Sequence, residues 1–150
     1  MIIINRKVNI SDKKKILSVL QECDIKKVEQ NDIIDLYFSN NYLGCISEHA
    51  ESFFGKRKPI AYCFIKNPQT KPETLSVVHS SYRGKQIGSS LRNFTIKEYK
   101  DQINKKIVYS YTEVWNIACI KSLLNSGYEI NDFIRNPDGN NLIEFIFTIK

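Results

Sequence analysis

Between Val78 and Leu91 the chain reads Val78-His79-Ser80-Ser81-Tyr82-Arg83-Gly84-Lys85-Gln86-Ile87-Gly88-Ser89-Ser90-Leu91. Two cations and two glycines fall in this run. Upstream, Thr74 to Val78 is rich in β-branched residues and bounded by Pro72, which predicts a strand. Downstream, Ile87, Leu91 and Phe94 recur at spacings of four and three, which predicts one apolar face of a helix. A strand, a basic glycine-containing turn and a helix make an anion site. The first amides of a helix lack backbone partners and point outward. The helix dipole adds partial positive charge there, and Arg83 and Lys85 add full charges. A phosphate or pyrophosphate would be held with little further help. A solvated strand-to-helix loop would carry the same residues, so the turn alone leaves both readings open. Two other phosphate patterns, Gly-x-x-x-x-Gly-Lys-Ser/Thr and Gly-x-Gly-x-x-Gly, are absent.

Other reactive side chains are sparse. Cys23, Cys45, Cys63 and Cys119 form no Cys-x-x-Cys pair, and His49 and His79 stand at no metal-ligand spacing from them. No metal is expected, and four buried free thiols are. The 150 residues suit a single domain, 1–150, with a real core. Net charge is +6, from 22 Lys and Arg against 16 Asp and Glu. That excess fits nucleic acid or a small anionic ligand. Lys13-Lys14-Lys15 and Lys56-Arg57-Lys58 are short and not interleaved with aromatics, which argues against nucleic acid. Met1-Ile2-Ile3-Ile4 is too short for a signal segment, and no apolar run approaches a membrane span. The expectation is a cytoplasmic protein with no membrane partner.

These residues need elements to hold them. Ile2, Ile3, Ile4 and Val8 predict a first strand. Ser11 then caps a helix with Ile16, Leu17 and Leu20 on one face. A second helix is expected near Asn31 to Ser39. Residues 42–54 are ambiguous: Leu43, Ile46, Ala50 and Phe53 fit helical spacing, whereas Tyr42 to Ser47 fits a strand. Gly55 to Lys58 is a turn, and Ile60 to Ile65 a strand ended by Asn67-Pro68. After the helix to about Tyr99 comes a strand from Ile107 to Val114. Asn116 caps a helix carrying Ile117, Ile120 and Leu124, with Gly127 at its C′ position. Tyr128 to Ile134 and Leu142 to Ile149 are strands joined as a hairpin by Asn136-Pro137-Asp138-Gly139. Strand, helix, strand over 74–114 implies a parallel crossover. In such sheets ligands lie at the carboxyl ends of strands, where neighbours diverge.

The run from Val78 to Gly88 resembles motif A of the GNAT superfamily of acyl-CoA N-acyltransferases, which is written Arg/Gln-x-x-Gly-x-Gly/Ala, often after Val-x-Pro-x-Tyr. Ser80 stands where Pro is common, and Gln86 where the first motif Gly is usual. The block Trp115-Asn116-Ile117-Ala118-Cys119-Ile120-Lys121-Ser122-Leu123-Leu124-Asn125-Ser126-Gly127-Tyr128 is similar to the family's motif B, where an Asn opens a helix and a Gly-aromatic pair ends it. The two blocks cover roughly residues 74–128; residues 1–55 carry no diagnostic signature. The resemblance implies an α/β fold with a mixed, mostly antiparallel central sheet flanked by helices. A splayed parallel strand pair would hold the cofactor.

The resemblance also implies acetyl transfer from acetyl-CoA to an amine. The turn Arg83, Gly84, Lys85, Gln86, Ile87, Gly88 and Ser89 would hold the pyrophosphate. Backbone near Val77 and Val78 would pair with the pantetheine arm, and an amide there would polarise the thioester carbonyl. Asn116, with Cys119 one turn on, would border that arm; a plain helix cap is an equal reading of Asn116. The amine must be neutral to attack and the departing thiolate prefers a proton, so a base and an acid are needed. Many relatives place a Tyr seven residues after the motif B Asn as the acid. Here that position is Leu123. Tyr111 is the substitute by position, and Glu73 the candidate base, ahead of Glu113 and His79. The acceptor implied is a small-molecule amine. Trp115-Asn116-Ile117 and the missing Tyr lean toward an amino sugar or sugar nucleotide, while polyamines, protein amines and antibiotics stay open, as does a homodimer. The rival reading is a non-catalytic CoA- or nucleotide-binding module, favoured by Leu123 and Gln86.

Overall fold

The computed structural model describes residues 1–23, 34–35 and 42–150. The strands are β1 (Ile2–Lys7), β2 (Tyr42–Ala50), β3 (Arg57–Lys66), β4 (Glu73–Val78), β5 (Ile107–Glu113), β6 (Glu129–Ile134) and β7 (Leu142–Thr148). Helix α1 spans Lys13–Gln21, α2 Ile87–Tyr99 and α3 Ile117–Asn125. The strands form one sheet in the order β1-β2-β3-β4-β5-β7-β6. Among the described residues only the β4–β5 pair is parallel, with α2 as its crossover; the other pairs are antiparallel. The fold is therefore the mixed, mostly antiparallel sheet expected.

Alternation along the strands splits the core into two layers. Cys45, Cys63, Ile65, Val108 and Phe145 pack with Leu91 and Ile96 of α2 and Leu123 of α3. On the opposite face Ile46, Tyr62 and Phe64 pack with Ile16, Val19 and Leu20 of α1 and with Ile34. β3 is buried on both faces from Ile60 to Ile65, so it reads as an unbroken apolar run. Cys45, Cys63 and Cys119 are free thiols; Cys23, Cys45 and Cys63 are buried and Cys119 is half-buried. Cys45 lies opposite Cys63, and burial pushes their thiols up to about 12 and about 11, away from the reactive thiolate.

Four boundaries differ from expectation. Ser11 does not cap α1. Asn9 caps a short 3-10 turn ahead of it in a capping box with Asp12, and α1 begins at Lys13. Val8 falls just past β1, where its amide bonds Gly44. Residues 42–50 are a strand. Burial is unbroken from Gly44 to Glu48, so no period-2 alternation shows, and the helical spacing through Phe53 is accidental; Phe53 is exposed. The hairpin turn comes earlier than Gly55 to Lys58, since β3 already starts at Arg57. The helix expected near Asn31 to Ser39 lies almost wholly outside the described residues.

Candidate active site

β4 and β5 separate almost as soon as they meet. Their ladder is the single pair Glu73 opposite Tyr109, against six pairs between β3 and β4. Near the apex, Tyr109 N–H donates to the Pro72 carbonyl (2.8 Å) and Ser110 Oγ to the Thr74 carbonyl (3.2 Å). Beyond that point the strands diverge. Bond direction alternates along a strand. The His79 amide bonds Ile60 of β3 at 2.8 Å, so Val77, two residues back, also turns its backbone to β3. Thr74 faces β5, so Ser76 and Val78 present their amides and carbonyls to the gap. The sequence-based choice of Val77 and Val78 thus meets the gap at Val78, with Ser76 as its unforeseen companion. Strand alternation anchored on one known bond reveals it.

At the open end of the gap the chain turns into α2. Gly84 (φ +73°) and Gln86 (φ +59°) both adopt left-handed backbone. Gln86 therefore keeps the conformation that a motif glycine would supply, and it does so with a side chain that is exposed. Among the described residues, the amides of 84–89 make no backbone hydrogen bond; the first helical bond is Ser90 N–H to the Gln86 carbonyl (3.0 Å). Gly88 is buried where the helix crosses β4: a Cβ there would stand 3.2 Å from Val78 Cγ2 and 3.5 Å from Ser122 Oγ. A cavity of about 310 Å³ opens beside this turn, with Ile3 and Asn5 of β1 in its lining along with Lys85, Gln86, Ser89 and Asn93; it includes none of the gap residues of β4. Arg83 folds back, its Nε donating to the Val78 carbonyl at 3.3 Å, and Lys85 lies 5.5 Å over the Tyr82 ring. Both are exposed. Unpaired amides, two cations and a glycine-tight floor fit a pyrophosphate.

Helix α3 closes the far side. Asn116 Oδ1 accepts from Cys119 N–H (3.1 Å), so it is a helix cap, and its side-chain Nδ2 has no hydrogen bond among the described residues. The cap uses one end of the side chain and leaves the other to donate. A Schellman pair ends α3: Tyr128 N–H bonds the Leu123 carbonyl (3.1 Å) and Gly127 N–H that of Leu124 (3.0 Å), with Gly127 at φ +89°. Leu123 is fully buried core. Arg92 of α2 is buried between these elements. Its Nη1 donates to Ser126 Oγ (2.7 Å), and its guanidinium lies 5.9 Å from the Tyr128 ring centroid.

The candidate proton carriers sit elsewhere. Glu73 is at the apex, ion-paired with Lys66 at 3.0 Å. Tyr111 is two residues along β5 past the apex residue Tyr109. Its hydroxyl donates to Glu144 Oε2 of β7 at 2.6 Å, on the side away from β4. Burial first, and then the bond to Glu144, push the Tyr111 hydroxyl above its ordinary range. His79 is buried, accepting from the Ser81 amide (3.2 Å), which makes it a turn cap. The geometry therefore gathers Val78 and the 83–89 turn, with Asn116 across the gap, but leaves Glu73 and Tyr111 each with a partner of its own.

Among the described residues no group of three His, Cys, Asp or Glu is placed to hold a metal, and no helix is long and apolar enough to cross a membrane.

No family model and no curated protein sequence matches the chain. Solved structures do. The ribosomal-protein-S18-alanine N-acetyltransferase of Escherichia coli superposes with a TM-score of 0.78 at 13% identity, over 99% of this chain and 95% of that one. The Salmonella typhimurium protein yncA, with its cofactor acetyl-CoA, gives 0.76 at 14% identity over 99% and 94%. A mutant of the Vibrio cholerae spermidine N-acetyltransferase SpeG gives 0.74 at 13% identity over 97% and 94%. The chain shares the fold of these acetyltransferases.

Proposed function

We propose that the chain is an acetyl-CoA-dependent N-acetyltransferase. One observation carries the reading: the half of β4 that has no partner on its β5 side runs directly into a helix start whose amides, 84–89, are unpaired. An anion at the helix and an extended arm along the gap side of Ser76 and Val78 would meet the unpaired amides of both at once; the Val78 carbonyl already accepts from Arg83 Nε and Cys23 Sγ. CoA has that shape, a pyrophosphate followed by an amide-bearing arm. Arg83 and Lys85 would add charge to the phosphate end, and the Asn116 amide would bond the arm. The thioester then falls toward the apex, at Thr74 and Ser110.

There the Ser76 amide, the gap-facing amide nearer the apex, polarises the carbonyl, stabilising negative charge on its oxygen. The nitrogen lone pair of a neutral amine attacks the carbonyl carbon. A C–N bond forms, the C–S bond breaks, the amine's proton passes to solvent or a base, and the thiolate takes up a proton. Leu123 cannot supply that proton. A thiolate is a good leaving group, so positioning and the oxyanion amide bring most of the rate. Glu73, at the apex, is the base closest to the reacting end.

The acceptor is a primary amine. The neighbours above carry spermidine and a ribosomal-protein alanine in their names, and an amino-sugar acceptor finds no support in them. The test is twofold: calorimetry with CoA and acetyl-CoA, then release of free thiol from acetyl-CoA across a panel of amines. Binding with turnover supports the reading. Binding without turnover on any amine makes the chain a CoA-binding module, and no binding at millimolar CoA removes the cofactor site altogether.

A further inference from the structure

On the sheet face opposite α2, beside the apex of the gap, five residues from four segments converge. Tyr109 and Tyr111 stand two apart on β5, so their rings share a face. Glu144 of β7 lies directly opposite Tyr111 and is 9% exposed. Its two oxygens are both used: Tyr111 Oη donates to Oε2 (2.6 Å) and Asn131 Nδ2 to Oε1 (2.8 Å). Asn131 reaches it because β6 is irregular there; the register passes from Ile130–Phe145 to Asp132–Glu144, leaving Asn131 as the extra residue. Such bulges re-aim a side chain. The fifth member is a cation. Lys71, from the loop before β4, places Nζ 4.5 Å from the Tyr109 ring centroid, 5.4 Å from that of Tyr111 and 3.4 Å from Glu144 Oε2.

Two tyrosine rings, a shielded carboxylate and a bulge-directed amide form a seat for an ammonium group. Lys71 shows that a primary alkylammonium fits. Its own hold is loose, because its side chain is 56% exposed and can swing into solvent without opening the core. The seat adjoins the single β4–β5 pair, Glu73 opposite Tyr109. On the acetyltransferase reading above, on which this inference rests, the thioester end lies at that same apex.

We infer that this seat anchors a charged, non-reacting ammonium of a di- or polyamine acceptor, and that Lys71 is a tethered competitor that the acceptor displaces. An ammonium held against Glu144 stays protonated and cannot itself attack. It fixes one end of the acceptor while a second amine, further along the chain, reaches the thioester. Glu144 is held below and Lys71 above their ordinary ranges, which keeps both charged at neutral pH.

The experiment measures amine binding by NMR titration without acetyl-CoA, using n-butylamine, 1,4-diaminobutane and a lysine-containing tripeptide. The proteins are wild type, Lys71→Met and Glu144→Gln. A site open only part of the time loses apparent affinity by that fraction, so Lys71→Met should tighten butylamine binding about three- to tenfold. Glu144→Gln should abolish it, with the circular dichroism spectrum unchanged. Preference for the diamine supports the inference, and preference for the tripeptide would overturn the di- or polyamine acceptor. If Lys71→Met binds no tighter than wild type, or Glu144→Gln binds as well, the seat is only a surface ion pair and the inference falls. Binding that follows the expected order without any acetyl transfer would overturn the enzymatic reading and leave the seat standing. Turnover whose amine KM ignores both substitutions would do the reverse.

Discussion

Arg92 Nη2 donates to Ser76 Oγ across 2.6 Å, and a buried side chain thereby ties α2 to the half of β4 that has no partner on its β5 side. The guanidinium has no carboxylate within ion-pair distance among the described residues, and its Nε has no hydrogen-bond partner. Serine oxygens on β4 and α3 take its other protons. Hydrogen bonds to a charged donor are stronger than neutral ones, and losing it strands several buried hydroxyls. Arg92→Ala should therefore cost about 2–4 kcal/mol in urea unfolding. Arg92→Met, which restores packing without the charge, should recover part of that loss.

Gln86 supplies a test of the phosphate turn. A side-chain-bearing residue in left-handed backbone costs about 1–2 kcal/mol, of which glycine's extra chain entropy offsets about half. Gln86→Gly should raise stability by about 0.5–1 kcal/mol on these terms. CoA affinity should hold or improve, because the turn contributes amides rather than this side chain. Thermal unfolding and calorimetry on one variant read both effects. Loss of CoA binding would mean that the Gln86 amide group is itself a ligand.

A third prediction concerns acid. Asp12 and Glu48 are both 1% exposed and both bonded by Arg6, at 2.8 Å and 3.0 Å, while Lys15 reaches Glu48 at 2.8 Å. The Arg6 bond holds Asp12 below its ordinary range. Burial pushes Glu48 up, but Arg6 and Lys15 outweigh it and leave Glu48 lowered too. Depressed carboxylates stabilise the fold above their unfolded values, near 4, and that stabilisation is lost as pH falls through the folded values. Arg6→Met leaves two buried carboxylates short of a partner, at a cost of about 3 kcal/mol at pH 7. The difference from wild type should shrink steadily below about pH 4, where both carboxylates protonate. Denaturant midpoints from pH 3 to 8 would show it; a pH-independent difference would assign Arg6 to packing alone.

Much of the cofactor half is legible in the amino-acid sequence. The turn from Arg83 to Ser89 and the capped helix from Asn116 to Gly127 rely on local signals: glycine, charge, a capping side chain and apolar spacing. Three features are not legible there. Residues 42–54 read ambiguously because β2 is buried on both faces, which erases alternation. Ser76 leaves no mark because which backbone groups face a gap depends on pairing to a neighbouring strand, and no residue type records that. Glu144 and Asn131 stay hidden because a carboxylate among Leu142, Ile143 and Phe145 looks like an outward-facing strand position, and the bulge that turns Asn131 onto it has no signature in composition. Tyr111 is visible by position, but its role depends on a partner 33 residues away.

That role can be settled with one hydroxyl. Tyr111 is protonated at neutral pH, since burial and Glu144 both raise it, and its proton already bridges to a carboxylate at 2.6 Å. To protonate a departing thiolate it would first have to break a charge-assisted bond, which is among the stronger hydrogen bonds in proteins. We therefore expect Tyr111 to position rather than to donate. Tyr111→Phe keeps the ring over which Lys71 lies and removes one of the three donors to Glu144. The amine KM should rise while kcat falls less than about threefold, the pattern of lost binding rather than lost chemistry. The acetyl-CoA KM should not move. A general acid contributes on the order of 10²–10⁴-fold, so a fall in kcat beyond about tenfold, with the basic limb of the pH–rate profile abolished, would restore Tyr111 as the proton donor that Leu123 cannot be. Steady-state kinetics across pH, with an amine that wild type turns over, separates the two outcomes.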